Sequence, residues 1–509
     1  MNDIKGLTHV LLISTICLII SCTKEKNAVV HKVKPNILWI MAEDIGPDLE
    51  CYGMEAVKTP VLNRLAQEGA LFTRAYGTNS ICSPSRSNMI TGVHQNVSNT
   101  QHHRSNRQIP LMEPFKPITS YLRDAGYTCI LGSHLARGKG RKIDVNFKHK
   151  AIGAWNGTTE FGLFDKLDTI KATDQPFFSQ VTLVVTHRGD WWNKIRAESK
   201  HPVNPDEVVL PPYYADHQVI REDWAKYLDQ IEYMDHEVGL LLNDLEQKGL
   251  KENTIVIFIG DNGRCNIRGK GYLYDPGLHL PLIVNWPAAM SGGKRDERLV
   301  SSIDVAASIL EVAGIELPEY MTALPFINND NPGREYIYSA RDLWDEVLEQ
   351  SRAITTKEFR YIKNNITDQS YDAHQAYLEF HRPAVHIMRG LNEKGELNEL
   401  QSRFFAPAKE PEELYDLKND PFETVNLAND PKYADVLTKM KGYYKDWNSR
   451  NHDYGFEEIL WENSPPPNAP EIITWLKKER PEVLEQMKQG IEPGFGRLNK
   501  AYRNQLKNK

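Results

Sequence analysis

The sequence predicts an α/β fold, in which helices sandwich a large, mainly parallel sheet and a smaller α+β subdomain follows. Three observations carry this. The runs Asn36 to Met41 and Thr254 to Ile259 are almost wholly apolar and rich in Ile. Strands covered on both faces read this way, whereas a strand with one wet face alternates. Between them, Tyr227, Ile231, Met234, Val238, Leu241, Leu242 and Leu245 recur at helical spacing within Asp223 to Gly249. Strand candidates alternating with helices call for crossover connections and a parallel sheet, and the texture changes after about residue 330.

The remaining elements are taken in chain order. Lys5 precedes an apolar run, Val10 to Ile20, too short to span a bilayer but suited to a signal peptide. Ser21-Cys22 resembles a bacterial lipobox, so residues 1–22 are expected to be a lipoprotein signal and Cys22 the lipid-bearing first residue. An ordinary secretory signal with Cys22 incidental is the alternative. Residues 23–34 then form a polar tether. Either way the protein leaves the cytoplasm, with the outer membrane, facing periplasm or cell surface, as its expected place. Thr59-Pro60 opens a short helix to Gly69. Further strands are expected over 177–185, before Thr186-His187, and over 280–284, before Trp286-Pro287. These elements bound a catalytic domain at 35–330. The subdomain at 331–509 has strand candidates at 335–339, 359–363 and 413–417 and a helix at 433–447. A Pro-rich loop follows at 464–467, then a charged tail from Glu479 that is a peripheral helix or frayed.

Composition is that of a soluble globular chain, 40% hydrophobic and 25% charged over 509 residues. A formal charge of −7 argues against a nucleic-acid partner, so a polyanionic substrate would need local clusters of Arg, Lys and His. Of six cysteines, removing Cys17, Cys22 and Cys82 leaves Cys51, Cys129 and Cys265, an odd remainder with no disulfide framework.

Both strong strand candidates end in oxygen-bearing pairs, Glu43-Asp44 and Asp261-Asn262. Ligands gather beyond the C-terminal ends of parallel strands. Three carboxylates and an amide brought together there would repel one another unless a hard divalent cation intervened, and all-oxygen ligands suit Ca²⁺ or Mg²⁺. Each pair alone is as well read as a loop or turn. Between them lies Cys82-Ser83-Pro84-Ser85-Arg86, then Ser87 to Gly92.

Cys-x-Pro-x-Arg followed by an apolar turn ending in Thr-Gly resembles the signal by which a maturase oxidises Cys to formylglycine in the sulfatase family. The resemblance extends over Pro35 to Asp44, Cys51-Tyr52-Gly53, Lys58-Thr59-Pro60, Ile259 to Gly263 and Gly269 to Asp275. It implies an alkaline-phosphatase-like fold and one calcium ion on Glu43, Asp44, Asp261, Asn262 and the oxygen of modified Cys82. The family most often has aspartate where this chain has Glu43. It also implies a nucleophile from Cys82, with Arg86 hydrogen-bonding the hydrated aldehyde and neutralising nearby charge, and Lys270 and His187 contacting sulfate. For the family's Gly-Lys-x-His segment two placements stay open. Gly132-Ser133-His134 lacks the lysine, while Arg141-Lys142-Ile143-Asp144 has Lys142 but Asp144 in place of histidine. Lys142 is preferred because Glu43-Asp44-Ile45, His102 to Ser105, Thr186-His187 and Arg341-Asp342 resemble the same branch. His102, His103, Arg104, Arg188 and His279 are candidate sugar or sulfate contacts, and Trp191-Trp192 a stacking platform or core.

The expected function is therefore hydrolysis of sulfate from a sulfated oligo- or polysaccharide, such as ulvan or a glycosaminoglycan, by a branch near the N-sulfoglucosamine sulfohydrolases. A phosphomonoester or phosphonate hydrolase using the same aldehyde, or a non-catalytic glycan-binding lipoprotein, is the alternative.

Overall fold

The computed structural model describes residues 34–154, 162–327, 329–457 and 472–507. The signal, Cys22, most of the tether and the 464–467 loop lie outside them. No helix among the described residues is long and apolar enough to cross a membrane.

The strands of the large sheet are β1 (Asn36–Ala42), β2 (Ala70–Tyr76), β3 (Thr128–Leu131), β4 (Lys166–Leu167), β5 (Phe177–Leu183), β6 (Thr254–Gly260), β7 (His279–Asn285), β8 (Lys294–Asp296) and β9 (Val300–Ser301). Their order is β8-β2-β7-β6-β1-β5-β3-β4, with β9 also on β2. Every pairing is parallel except those of β7, which runs against both β2 and β6. The two apolar runs pair directly: β1 and β6 are parallel, with Ala42 opposite Gly260.

Both faces of this pair are dry. Leu38, Ile40, Val256 and Phe258 pack with helices α1 (Pro60–Glu68) and α3 (Gln218–Gln247). Ile37, Trp39, Met41, Ile255, Ile257 and Ile259 enter the opposite core with Met89 and Ile90 of α2 (Cys82–Thr91). That two-sided burial is why the strands read as continuous apolar runs. Helix α3 begins at Gln218, five residues before the periodic segment, because the His217 side chain accepts from the Val219 N–H and caps it.

The second sheet is antiparallel, in the order β10 (Ile337–Arg341), β11 (Ser351–Thr355), β12 (Phe359–Asn364), β13 (Glu412–Asp416). The short helices α4 (Ala376–His381) and α5 (Pro383–Glu393) lie between β12 and β13. Helix α6 (Ala434–Arg450) covers this sheet, with Met440 buried beside Tyr338, Tyr361 and Leu414. Helix α7 (Ile472–Glu479) leads into the charged tail, which among the described residues holds α8 (Pro481–Lys488) and α9 (Phe495–Lys507). Ile472, Trp475, Leu476, Leu484, Met487 and Tyr502 share a buried cluster with Ala376 and Phe380, so this segment is packed against α4.

Candidate active site

Three adjacent parallel strands deliver the charged residues. β1 runs into Glu43-Asp44, β6 into Asp261-Asn262, and β5 carries Thr182 before its chain turns into Thr186-His187. Ladder bonds continue past the strand ends, Asp261 N to Ala42 O at 2.9 Å and Glu43 N to Leu183 O at 3.1 Å, so register alone brings these groups together. Helix α2 opens at Cys82 and all ten of its residues are buried. Its entry is fixed by the Asn79 side chain, which accepts from Ile81 N at 2.9 Å and donates to Ala340 O at 2.8 Å. The Lys270 loop turns at Gly271 with φ 89°, where a Cβ would fall 2.0 Å from the Trp344 ring, so only glycine fits.

The result is a knot of buried charge. Arg86 donates from Nε to Asp261 Oδ2 at 2.9 Å, from Nη2 to Glu43 Oε1 at 3.0 Å and from Nη1 to Thr182 Oγ1 at 3.1 Å. Lys270 Nζ lies 2.6 Å from Asp44 Oδ1. Lys142 Nζ pairs with Glu43 Oε1 and lies 3.5 Å from Asp144 Oδ2. Asn262 Nδ2 donates to Asp44 Oδ1 at 3.0 Å and to Gly263 O at 2.8 Å, which fixes the orientation of its amide. Two oxygens are left over: Asp44 Oδ2 and Asn262 Oδ1 are buried without a hydrogen-bond partner.

The titration behaviour follows from burial set against these pairs. Burial raises Asp261, Arg86 opposes it, and the carboxyl is held near 6. Burial acts upward on Asp44 and Glu43 too, but Lys270 on the first, and Lys142 with Arg86 on the second, hold them below their usual values. His187 is pushed down to about 4 by burial, partly offset by Asp44. Its Nδ1 lies 3.0 Å from Arg188 O, which assigns the proton to Nδ1 and leaves Nε2 free, and the Tyr377 hydroxyl is 3.4 Å from the same nitrogen. Burial lifts the Cys82 thiol to about 11 despite nearby Lys270, so as cysteine it stays a protonated, poor nucleophile.

The other residues singled out from sequence are placed as follows. Glu43, Asp44, Asp261, Asn262, Arg86, Lys142 and Lys270 are linked in this one cluster, with Cys82 and His187 beside it. Lys142 reaches the knot, whereas His134 is exposed. Arg86 neutralises nearby charge, as expected, through Glu43 and Asp261, with a further donor on Thr182. His103 Nδ1 is 3.0 Å from Ser83 Oγ, and Arg104 binds Asp144. His102 is buried and its Nδ1 accepts from Leu343 N at 3.4 Å. Arg188 and His279 are engaged elsewhere. Arg188 is buried on both Asp223 oxygens and His381 O. His279 bridges Asp275 and Thr73 O and stacks on Tyr76. Both Trp191 and Trp192 donate their indole N–H to Val185 O.

Thr182, Tyr377 and Arg107 were not found from sequence. Thr182 sits inside an apolar strand, and Tyr377 arrives from a helix far along the chain with its ring 5.3 Å from Lys270 Nζ. Arg107 lies three residues beyond the recognised Arg104, and only its contact with Asp144 marks it.

The sulfatase family profile matches residues 35–315. The chain belongs to the sulfatase family. Its activity class is accordingly sulfuric ester hydrolysis. The profile described as N-sulphoglucosamine sulphohydrolase, C-terminal, matches residues 263–382. An ulvan-active sulfatase of Formosa agariphila is 31% identical over 495 residues, covering 86% of this chain and 81% of that protein. The human N-sulphoglucosamine sulphohydrolase is 27% identical, with 82% of this chain and 90% of that protein covered. A structure solved with D-glucosamine-2-N,6-O-disulfate as its substrate shares the fold at a TM-score of 0.57 and 17% identity, over 84% of this chain and all of the other. The sulfatase carries the expected alkaline-phosphatase-like architecture, a large mainly parallel sheet with a small antiparallel one.

Proposed function

We propose that this sulfatase releases sulfate from esters on a sulfated carbohydrate, using formylglycine made from Cys82 and one calcium ion held by Glu43, Asp44, Asp261 and Asn262. The observation that carries this is the pair of bare, buried oxygens on Asp44 and Asn262 beside Cys82. A buried oxygen without a donor costs about 1–3 kcal/mol, more when charged, and a hard cation removes that cost. The residues present fit such an ion: every donor is oxygen, and none is the thiolate or imidazole that zinc prefers. When both groups are in place, the hydrated aldehyde supplies a hydroxyl nucleophile and the ion polarises it.

The chain's own side chains do the rest. Lys142 and Lys270, each ion-paired and held charged against burial, set positive charge around position 82 where a sulfate monoanion is drawn in. Arg86 keeps the strand-end carboxylates ionised. His187 presents Nε2 as the proton carrier for the departing sugar oxygen, and a sulfate anion against it raises its affinity for that proton. The names of the relatives, one ulvan-active and one acting on N-sulphoglucosamine, support a sulfated saccharide as substrate. Export and lipidation at Cys22, for the outer membrane, complete the proposal.

The test is expression beside a maturase. The tryptic peptide bearing Cys82 is expected to lose about 18 Da, and the protein to release sulfate from a glycan panel in a calcium-dependent way. Release of sulfate by a protein whose Cys82 is unchanged would overturn the assignment. Labelling with radioactive palmitate, lost in Cys22→Ala, tests the anchor.

A further inference from the structure

On the preferred placement of Lys142, Asp144 takes the position of the family's histidine, and it gathers cations around it. Its carboxylate is buried, with 4% of the side chain exposed, and meets three cations. Arg104 Nη2 is 3.2 Å from Oδ2, Arg107 pairs with Oδ1, and Lys142 Nζ is 3.5 Å from Oδ2. Lys142 is itself shared with Glu43, already bound by Arg86. Asp345 adds a weaker pull on Arg104. One carboxylate among three cations leaves positive charge only partly answered.

The two arginines are also the open part of the cluster. The side chains of Arg104 and Arg107 are 34% and 40% exposed, against 2% for Lys270 and 1% for Arg86. Arg104 Nε is buried and has no acceptor. The backbone of Arg104 is tied to the reacting end of α2, its N–H lying 3.2 Å from Ser83 Oγ, next in sequence to Cys82. Arg104 adopts left-handed backbone, φ 60°, which long side chains rarely take unless their surroundings hold them there, and Asp144, of a type that tolerates it, does so at φ 52°. A guanidinium offers a planar fork of donors that matches an oxyanion; Arg104 is near enough to Cys82 for their charges to interact, and Arg107 shares its carboxylate partner Asp144.

We propose that Arg104 and Arg107, oriented by Asp144, form a second oxyanion subsite, so that the preferred substrate bears a further carboxylate or sulfate next to the sulfate being removed. This rests on the sulfatase reading of Cys82, and it narrows that reading to multiply charged saccharides. Asp144 is a positioning residue, and the arginines set specificity.

The experiment uses the matured full-length protein and three saccharide sulfate esters that differ only in the neighbouring group: hydroxyl, carboxylate or second sulfate. The wild type is expected to favour one or both charged substrates in kcat/KM by roughly tenfold or more, the worth of a charged hydrogen bond. Which of the two it favours identifies the oxyanion. In Arg107→Ala and Arg104→Ala that preference is expected to fall to about twofold or less, and Arg107→Lys to recover part of it. An unchanged preference, or equal losses on all three substrates, overturns the proposal. A second arm needs no turnover: calorimetric binding to Cys82→Ala protein of a disaccharide that lacks the scissile sulfate but keeps the neighbouring carboxylate or sulfate favoured in the first arm is expected to weaken about tenfold on adding Arg107→Ala. Intact binding in this arm also overturns the proposal, whereas failure of wild-type hydrolysis alone overturns only the reading of Cys82.

Discussion

Two clusters of buried charge in this chain use the same residue types and end differently. At the ends of β1 and β6, three carboxylates, an amide and three cations leave Asp44 Oδ2 and Asn262 Oδ1 bare. Around α4 and α5, Asp372, His374 and Glu379 lie close enough together to suggest a metal site. Arg389 has filled it, reaching both Asp372 oxygens at 2.8 and 2.9 Å and Glu379 Oε1 at 2.8 Å, while His374 Nδ1 lies 2.8 Å from that same oxygen. Proximity of ligand-type side chains is thus a weak guide to a metal site. Unanswered oxygens on two contacting residues of one charged cluster are the better one; single buried oxygens such as Glu237 Oε2 also lack a partner elsewhere in the chain.

The contrast can be broken at either end. The largest expected effect is on the unsaturated side: Asp44→Asn should lose calcium and lower sulfate release roughly a thousandfold, the several kcal/mol a metal contributes to a transition state. Full activity in the presence of a chelator would remove the distinction. Next, Arg389→Met should strip the charge partner from Asp372 and Glu379 and destabilise the fold by about 3–5 kcal/mol. Denaturant unfolding should give the same loss with and without calcium, and a loss seen only without it would make this cluster a metal site after all.

A smaller effect is expected from Tyr377→Phe. It removes a hydroxyl that orients His187, worth about 0.5–1.5 kcal/mol, so kcat should drop about three- to tenfold while KM holds. A change in KM alone would move Tyr377 from the proton carrier to the substrate.

The smallest effect is a pH slope. Burial lowers His374, but Glu379 outweighs it and the imidazole ends above its usual value. Its folded pKa exceeds its unfolded one, so its stabilising contribution is complete below the unfolded value and fades as pH rises through the folded one. His374→Gln should flatten the decline of stability above neutral pH, measured as melting temperature against pH.

What the sequence made legible is what local pattern encodes. The apolar runs placed β1 and β6, and the acids following them fell on adjacent strands because a parallel register carries them there. Two placements for the lysine were open on paper. The fold separates them, since the chain after β3 exposes His134 and returns Lys142 to Glu43. Tyr377, Thr182 and Arg107 left no signal, as their roles exist only through contacts with residues far off in sequence. Arg86 was recognised by motif as neutralising nearby charge, but the motif does not say which acids it meets, and only the fold names Glu43 and Asp261.

Helix α4 brings Tyr377 over Lys270 and His187, and it is held from behind by Trp475, Leu484, Met487 and Tyr502, among the last parts of the chain to be made. A ribosome has therefore finished every strand of the large sheet before it supplies the brace that seats this tyrosine. A chain cut short before residue 472 would lack that brace, and its turnover should fall with the seating of Tyr377.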